Sequence, residues 1–127
     1  MGETVRSGAS GKPVPKPELE ADLYGICGSG GVAEGPAKVI MKEEELDDVE
    51  MGDILVSGST APSWTPVFGL LKGVVVDRGA SLSHSAIVSR EYGIPCVINV
   101  FEGTKKIKTG QRLRVDGDNG VVYILDK

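Results

Sequence analysis

Residues 74–100 read VVVDRGASLSHSAIVSREYGIPCVINV, and this stretch decides the fold. Val74–Asp77 is a β-branched apolar run of the kind that forms a buried strand. Gly79 breaks it. Ser81 and Ser83 follow as N-cap candidates, because a short hydroxyl can accept from the orphan backbone N–H groups of a helix start. The spacing predicts a helix over residues 83–92, about two and a half turns long. Gly93 and Pro95 form its stop signal. Cys96–Val100 is then a second buried strand. The unit is strand, turn, helix, strand, and it holds the only histidine of the chain, His84.

The first turn of a helix presents unpaired N–H groups and the positive end of the macrodipole, which favour a bound or attached anion. A neutral imidazole at that place can attack phosphorus, and the group it receives would lie among backbone donors. The same dipole end lowers a histidine pKa and keeps more of it nucleophilic near neutral pH. The site would lie beyond the carboxyl end of a strand, where α/β folds commonly put ligands.

Gly79-Ala-Ser-Leu-Ser-His-Ser-Ala-Ile87, with Arg90-Glu-Tyr-Gly-Ile-Pro95 after it, resembles the phosphohistidine signature of the PEP-utilising enzymes. The matched part is their swivelling, or mobile, domain, as in phosphoenolpyruvate synthase, pyruvate phosphate dikinase and rifampin phosphotransferase. Gly52-Asp-Ile-Leu-Val56, Thr60-x-Pro-x-Trp64, Asp116-Gly117 and Gly120-Val121 extend the resemblance from about Ala21 to the C-terminus. Two positions depart from the pattern: Ala80 stands where the family has a second glycine, and Leu82 where a threonine is common. Neither removes the nucleophile. The resemblance implies that His84 carries a phosphoryl group on its outer nitrogen, Nε2. It also implies that Nδ1 is held by the backbone or by a hydroxyl such as Ser81 or Thr60. Ser83, Ser81, Gly79, Thr60 and Arg90 are expected to contact or support the phosphate. Arg90 with Glu91 has the plainer reading of a solvated helix face, and Thr60 that of an ordinary turn residue.

Composition sets outer limits. The chain has 127 residues, 40% hydrophobic and 25% charged, enough for one globular domain with a core. A net charge of −4 argues against a nucleic-acid partner, which would need a basic patch. Cys27 and Cys96 have no paired spacing, and one histidine with two cysteines makes a poor zinc set. Two free thiols suit a reducing cytoplasm. No segment approaches the roughly 20 apolar residues of a membrane span, and the N-terminal stretch has no signal-peptide core.

Residues 1–20, with Lys12-Pro-Val-Pro-Lys-Pro17, read as a flexible proline-rich tail or an interdomain linker ahead of a domain at 21–127. Leu23–Ser29, Gly35–Met41, Gly52–Ser57, Arg112–Asp116 and Val121–Leu125 are expected strands. Glu43–Glu50 is an acidic connector or short helix. The segment after Thr60 begins as a loop and turns helical from about Pro66, and Gly103–Lys108 is a turn or short helix. Gly28-Ser-Gly-Gly31 has no Walker lysine and reads as a plain turn. Asp116-Gly-Asp-Asn-Gly120 lacks the ligand spacing of a calcium loop and reads as a hairpin turn. Short strands outnumber helices around a βα crossover, so the expected class is α/β, a three-layer fold resembling the swivelling β/β/α domain, with the β-rich ends pairing as a second layer.

The expected function is a phosphoryl-carrier domain or subunit. The chain has no P-loop, kinase-type lysine motif or acidic Mg²⁺ cluster. It is therefore expected to bind no cofactor itself, with Mg²⁺ and ATP or phosphoenolpyruvate held by nucleotide-binding and acceptor-binding partner domains. The rival is a non-catalytic interaction module that keeps the swivelling fold. A serine hydrolase built on Ser83 or Ser85 is excluded, because there is no Gly-x-Ser-x-Gly elbow.

Overall fold

The computed structural model describes residues 20–126; the proline-rich stretch before them lies outside the described residues. The strands are β1 (Leu23–Tyr24), β2 (Ile26–Ser29), β3 (Val32–Val39), β4 (Ile54–Ser57), β5 (Gly73–Val76), β6 (Cys96–Ile98), β7 (Arg112–Asp116) and β8 (Val121–Ile124), and the helices are α1 (His84–Tyr92) and α2 (Gly103–Lys106). Two 3₁₀ segments, Glu43–Asp48 and Pro62–Leu70, lie before β4 and β5. The strand order is β1-β8-β7-β3-β4-β5-β6-β2. β3 to β6 run parallel and all other pairings are antiparallel.

The alternation of side chains along the central strands explains the layers. Ile54, Val56, Val75 and Val97 point into a core shared with Leu23, Leu113, Val115, Val122 and Ile124 of the antiparallel strands. Leu55, Val74, Val76, Cys96 and Ile98, from the intervening positions, enter a second core with Trp64, Phe68, Leu71 and Val88. A strand buried on both faces is near-continuously apolar, which is why β4 and β5 lack polar alternation; the one hydroxyl, Ser57, donates to the Ile40 carbonyl at 2.7 Å. The result is the expected three-layer β/β/α arrangement, with the chain ends forming the second sheet. β3 joins the two sheets: Val32–Pro36 pairs with β7 and Ala37–Val39 with β4.

Several element bounds differ from expectation, each for a local reason. Leu23–Ser29 is two strands, because β1 pairs with β8 and β2 with β6, and the chain changes sheet at Gly25. A Cβ there would strike the Ile98 carbonyl. The third strand spans Val32–Val39 rather than residues 35–41. β6 stops at Ile98 because Asn99 and Phe101 take positive φ values of 61° and 68°. The helical segment after Thr60 starts at Pro62 rather than Pro66. Proline suits a first helical position, whereas Pro66 inside the segment has no N–H to give, which disfavours an i→i−4 ladder. The Trp64 N–H instead donates to the Ala61 carbonyl three residues back, at 2.8 Å.

β5 is followed by Asp77, a buried carboxylate that accepts from the Gly103 N–H at 2.6 Å and the Thr104 hydroxyl at 2.6 Å, tying α2 to the sheet. α1 ends as its sequence predicts, with Gly93 left-handed at φ 71°, ψ 29°. A Cβ on Gly93 would meet nothing within 4 Å, so only the backbone conformation opposes a side chain there. Gly93→Val is therefore expected to destabilise the chain by about 1–2 kcal/mol. An unchanged urea midpoint would show that the left-handed cap contributes nothing.

Candidate functional site

α1 lies on β2, β5 and β6 and packs against the Pro62–Leu70 segment. His84 is its first residue, after the extended N-cap Ser83 (φ −73°, ψ 161°). The ring is half-buried between two threonines. His84 Nδ1 is 2.7 Å from Thr60 Oγ1, and His84 Nε2 is 2.9 Å from Thr65 Oγ1. Thr60 Oγ1 is in turn 2.6 Å from Ser85 Oγ, and Ser85 is buried. Phe68 closes one side, its ring edge-on to the imidazole with centroids 5.6 Å apart. A neutral imidazole has one donor and one acceptor nitrogen, and hydroxyls serve as either, so both tautomers satisfy this chain of bonds.

Burial holds the His84 pKa below its usual 6.5. The expected direction is present, and its cause is loss of solvent around the ring. The stability consequence has a definite sign. As pH falls through 6.5 the unfolded chain takes up a proton first, and the folded chain loses stability until its own lower pKa is passed. Above that window the contribution is complete.

The other expected site residues divide into two groups. Thr60 touches the ring, and it holds Nδ1 where Ser81 was the other hydroxyl considered. Ser83 supplies the N-cap backbone, but its side chain makes no capping bond, and its Oγ is buried without a protein partner. Gly79 donates its N–H to Asn99 Oδ1 at 2.9 Å, which fixes the turn into the helix. Arg90 does not face the ring as a free cation. Its guanidinium donates to the Gly28 carbonyl at 2.8 Å and the Ser81 carbonyl at 2.7 Å, bracing the loop against β2. Ser81 enters the site through that carbonyl.

Thr65 and Ser85 were not singled out as site residues. The only sequence signal for Thr65 is its place between the Thr60-x-Pro-x-Trp64 motif and Pro66. Its approach to His84 depends on the 3₁₀ winding of Pro62–Leu70, which the sequence reading placed too late.

The family model described as PEP-utilising enzyme, mobile domain, matches residues 49–120, more than half of the chain. The chain belongs to this family. As a mobile domain of PEP-utilising enzymes it has relatives in much larger proteins. It is 47% identical over 102 residues to rifampicin phosphotransferase of Bacillus subtilis, covering 80% of this chain and 12% of that protein. It is 46% identical over 106 residues to phosphoenolpyruvate synthase of Pyrococcus furiosus, covering 84% of this chain and 13% of that protein. Among solved structures, Enzyme I (nEIt) superposes with a TM-score of 0.57 at 30% identity, over 65% of this chain and 34% of that one. The mobile domain thus spans about an eighth of the length of these two relatives.

Proposed function

We propose that this mobile domain carries a phosphoryl group on Nε2 of His84, taking it from ATP or phosphoenolpyruvate at one partner site and giving it to an acceptor at another. The observation that carries this reading is the Ser85–Thr60–His84 relay. It holds Nδ1 through a hydroxyl that is itself anchored, which supports Nε2 as the reacting nitrogen. In the transfer, the Nε2 lone pair forms the bond to phosphorus while the bond from phosphorus to the donor's leaving oxygen breaks, the oxygen keeping the electron pair. The ring is kept neutral by burial, which supplies that lone pair near neutral pH. Ser83, whose hydroxyl is unpartnered and whose backbone caps the first turn, is proposed to donate to a phosphoryl oxygen once the loop admits it. Gly79 and Arg90 shape and brace the loop that presents these groups. Mg²⁺ and the nucleotide or phosphoenolpyruvate are proposed to be held by partner domains, a reading supported by relatives that are far longer than this chain and are named as a phosphotransferase and a synthase. A reducing cytoplasm is the compartment assigned to Cys27 and Cys96, both unpaired thiols.

The test is to supply ATP and Mg²⁺ with and without a nucleotide-binding partner domain. Acid-labile, base-stable phosphate is expected on the chain only with the partner present. Label formed without any partner would place a nucleotide site in this chain and overturn the division of labour.

Docking should depend on the apolar residues flanking the nucleophile. Leu82, 80% exposed, precedes His84 by two positions, and exposed Ile87 follows it at helical spacing. Leu82→Asp is expected to raise the apparent KM of the domain as phosphoryl acceptor by roughly tenfold, the scale of losing one central contact residue, without lowering thermal stability. An unchanged KM would remove Leu82 from the docking face.

A further inference from the structure

At rest, both nitrogens of His84 are occupied, and the two occupants differ in how firmly they are held. Thr60 Oγ1 bonds Nδ1 and is itself anchored on buried Ser85. Thr65 Oγ1 bonds Nε2 at 2.9 Å, and its side chain makes no other hydrogen bond among the described residues. A phosphorus atom bonded to Nε2 would lie closer to the nitrogen than that hydroxyl and along the same lone-pair direction. The hydroxyl and the phosphoryl group therefore exclude one another. This holds for either tautomer. With the proton on Nδ1, the Thr65 hydroxyl donates into the Nε2 lone pair. With the proton on Nε2, the nitrogen donates to Thr65 and has no free lone pair. One of the two must move, and the ring cannot turn without giving up Thr60.

We propose that Thr65 is a positioning residue that gates the carrier nitrogen: its hydroxyl covers Nε2 in the unphosphorylated domain and swings off it when phosphorus arrives. The segment that holds Thr65 fits this task. Pro62–Leu70 is a 3₁₀ run of nine residues, longer than the usual three or four, and its i→i+3 hydrogen bonds have poorer geometry than those of an α-helix. The gate protects a reactive nitrogen between visits to its partners. It makes donor docking, which can displace Thr65, part of the commitment to transfer. The inference rests on the carrier reading above, and its test separates the two.

The experiment needs no partner domain. Wild type, Thr65→Ala and Thr65→Ser are treated with phosphoramidate, a small phosphoryl donor. The bond from Nε2 to phosphorus forms as the P–N bond of the protonated donor breaks, ammonia leaves with its electron pair, and the Nδ1 proton of the resulting imidazolium is released to solvent. Thr65→Ala is expected to label at His84 roughly three to ten times faster than wild type, the equivalent of one net hydrogen bond no longer broken before attack. Thr65→Ser, which keeps the hydroxyl, is expected to return the rate toward wild type. Nitrogen-15 NMR of the unlabelled proteins is the second readout. In Thr65→Ala the Nε2 resonance is expected to move toward that of an uncovered acceptor, with Nδ1 carrying the proton, a change that a merely structural role would not give. Equal labelling rates with unshifted ring nitrogens would overturn the gate and leave the carrier reading standing. Absence of label on His84 in wild type and Thr65→Ala alike would overturn the carrier reading and the gate with it.

Discussion

Replacing His84 by alanine is expected to abolish phosphoryl uptake. With a nucleotide-binding partner, ATP and Mg²⁺ supplied, wild type should gain a single acid-labile phosphate by intact mass and His84→Ala none. The effect is all-or-none because His84 is the chain's only imidazole, and among the described residues the hydroxyls of Thr60, Thr65 and Ser85 bond to no carboxylate or second base. The fold should survive, since His84 is only half-buried, Thr60 keeps its bond to Ser85, and only the part-buried Thr65 hydroxyl loses its partner. The pH profile of wild-type uptake provides an internal check. Uptake needs the neutral ring, and burial lowers its pKa, so the acid limb should have its midpoint below 6.5. Equal labelling of wild type and His84→Ala would end the proposal.

The second large effect is expected at Phe68, which is 1% exposed and belongs both to the core under α1 and to the wall of the imidazole. Phe68→Ala removes a fully buried ring and is expected to cost about 3–5 kcal/mol, seen as a lowered urea midpoint. It should also admit water beside His84. The burial that depresses the histidine pKa is then relieved, so an NMR titration of the folded variant should place the His84 midpoint above the wild-type value and nearer 6.5. A stability loss without that upward movement would mean the desolvation comes from other neighbours, such as the Pro62–Leu70 backbone.

The central unit was legible because its signals are local. Three consecutive valines, a glycine break, a helix-length segment and the Gly93-Ile-Pro95 stop leave few alternatives, and α1 starts and ends within one residue of its expected bounds. Both faces of β4 and β5 are apolar, so the buried sheet was also readable. The environment of His84 was less so. Thr60 was visible through a motif, but the pairing of Thr65 with Nε2 arises from a 3₁₀ segment that begins at Pro62. Arg90 carries a charge whose use, a brace between two carbonyls, depends on the chain passing Gly28 on its way to a different sheet. Ser83 looked like a side-chain cap and is a cap by backbone alone. Each of these depends on which segments meet in space, and no residue spacing along the chain encodes that.

The pairing of β1 with β8 has a mechanical consequence. Asp22 donates its N–H to the Val122 carbonyl at 3.0 Å and accepts from the Ile124 N–H at 2.6 Å, so the two ends of the folded body leave side by side. His84 belongs to the other sheet's helical layer. A longer polypeptide entering at Asp22 and leaving beyond Ile124 would hold the body at one point, like a pendant on a two-stranded cord. Twisting that cord turns the whole body, nucleophile included, without parting any strand pair. The reach of the imidazole is then set by the size of the body and the slack of the two connections.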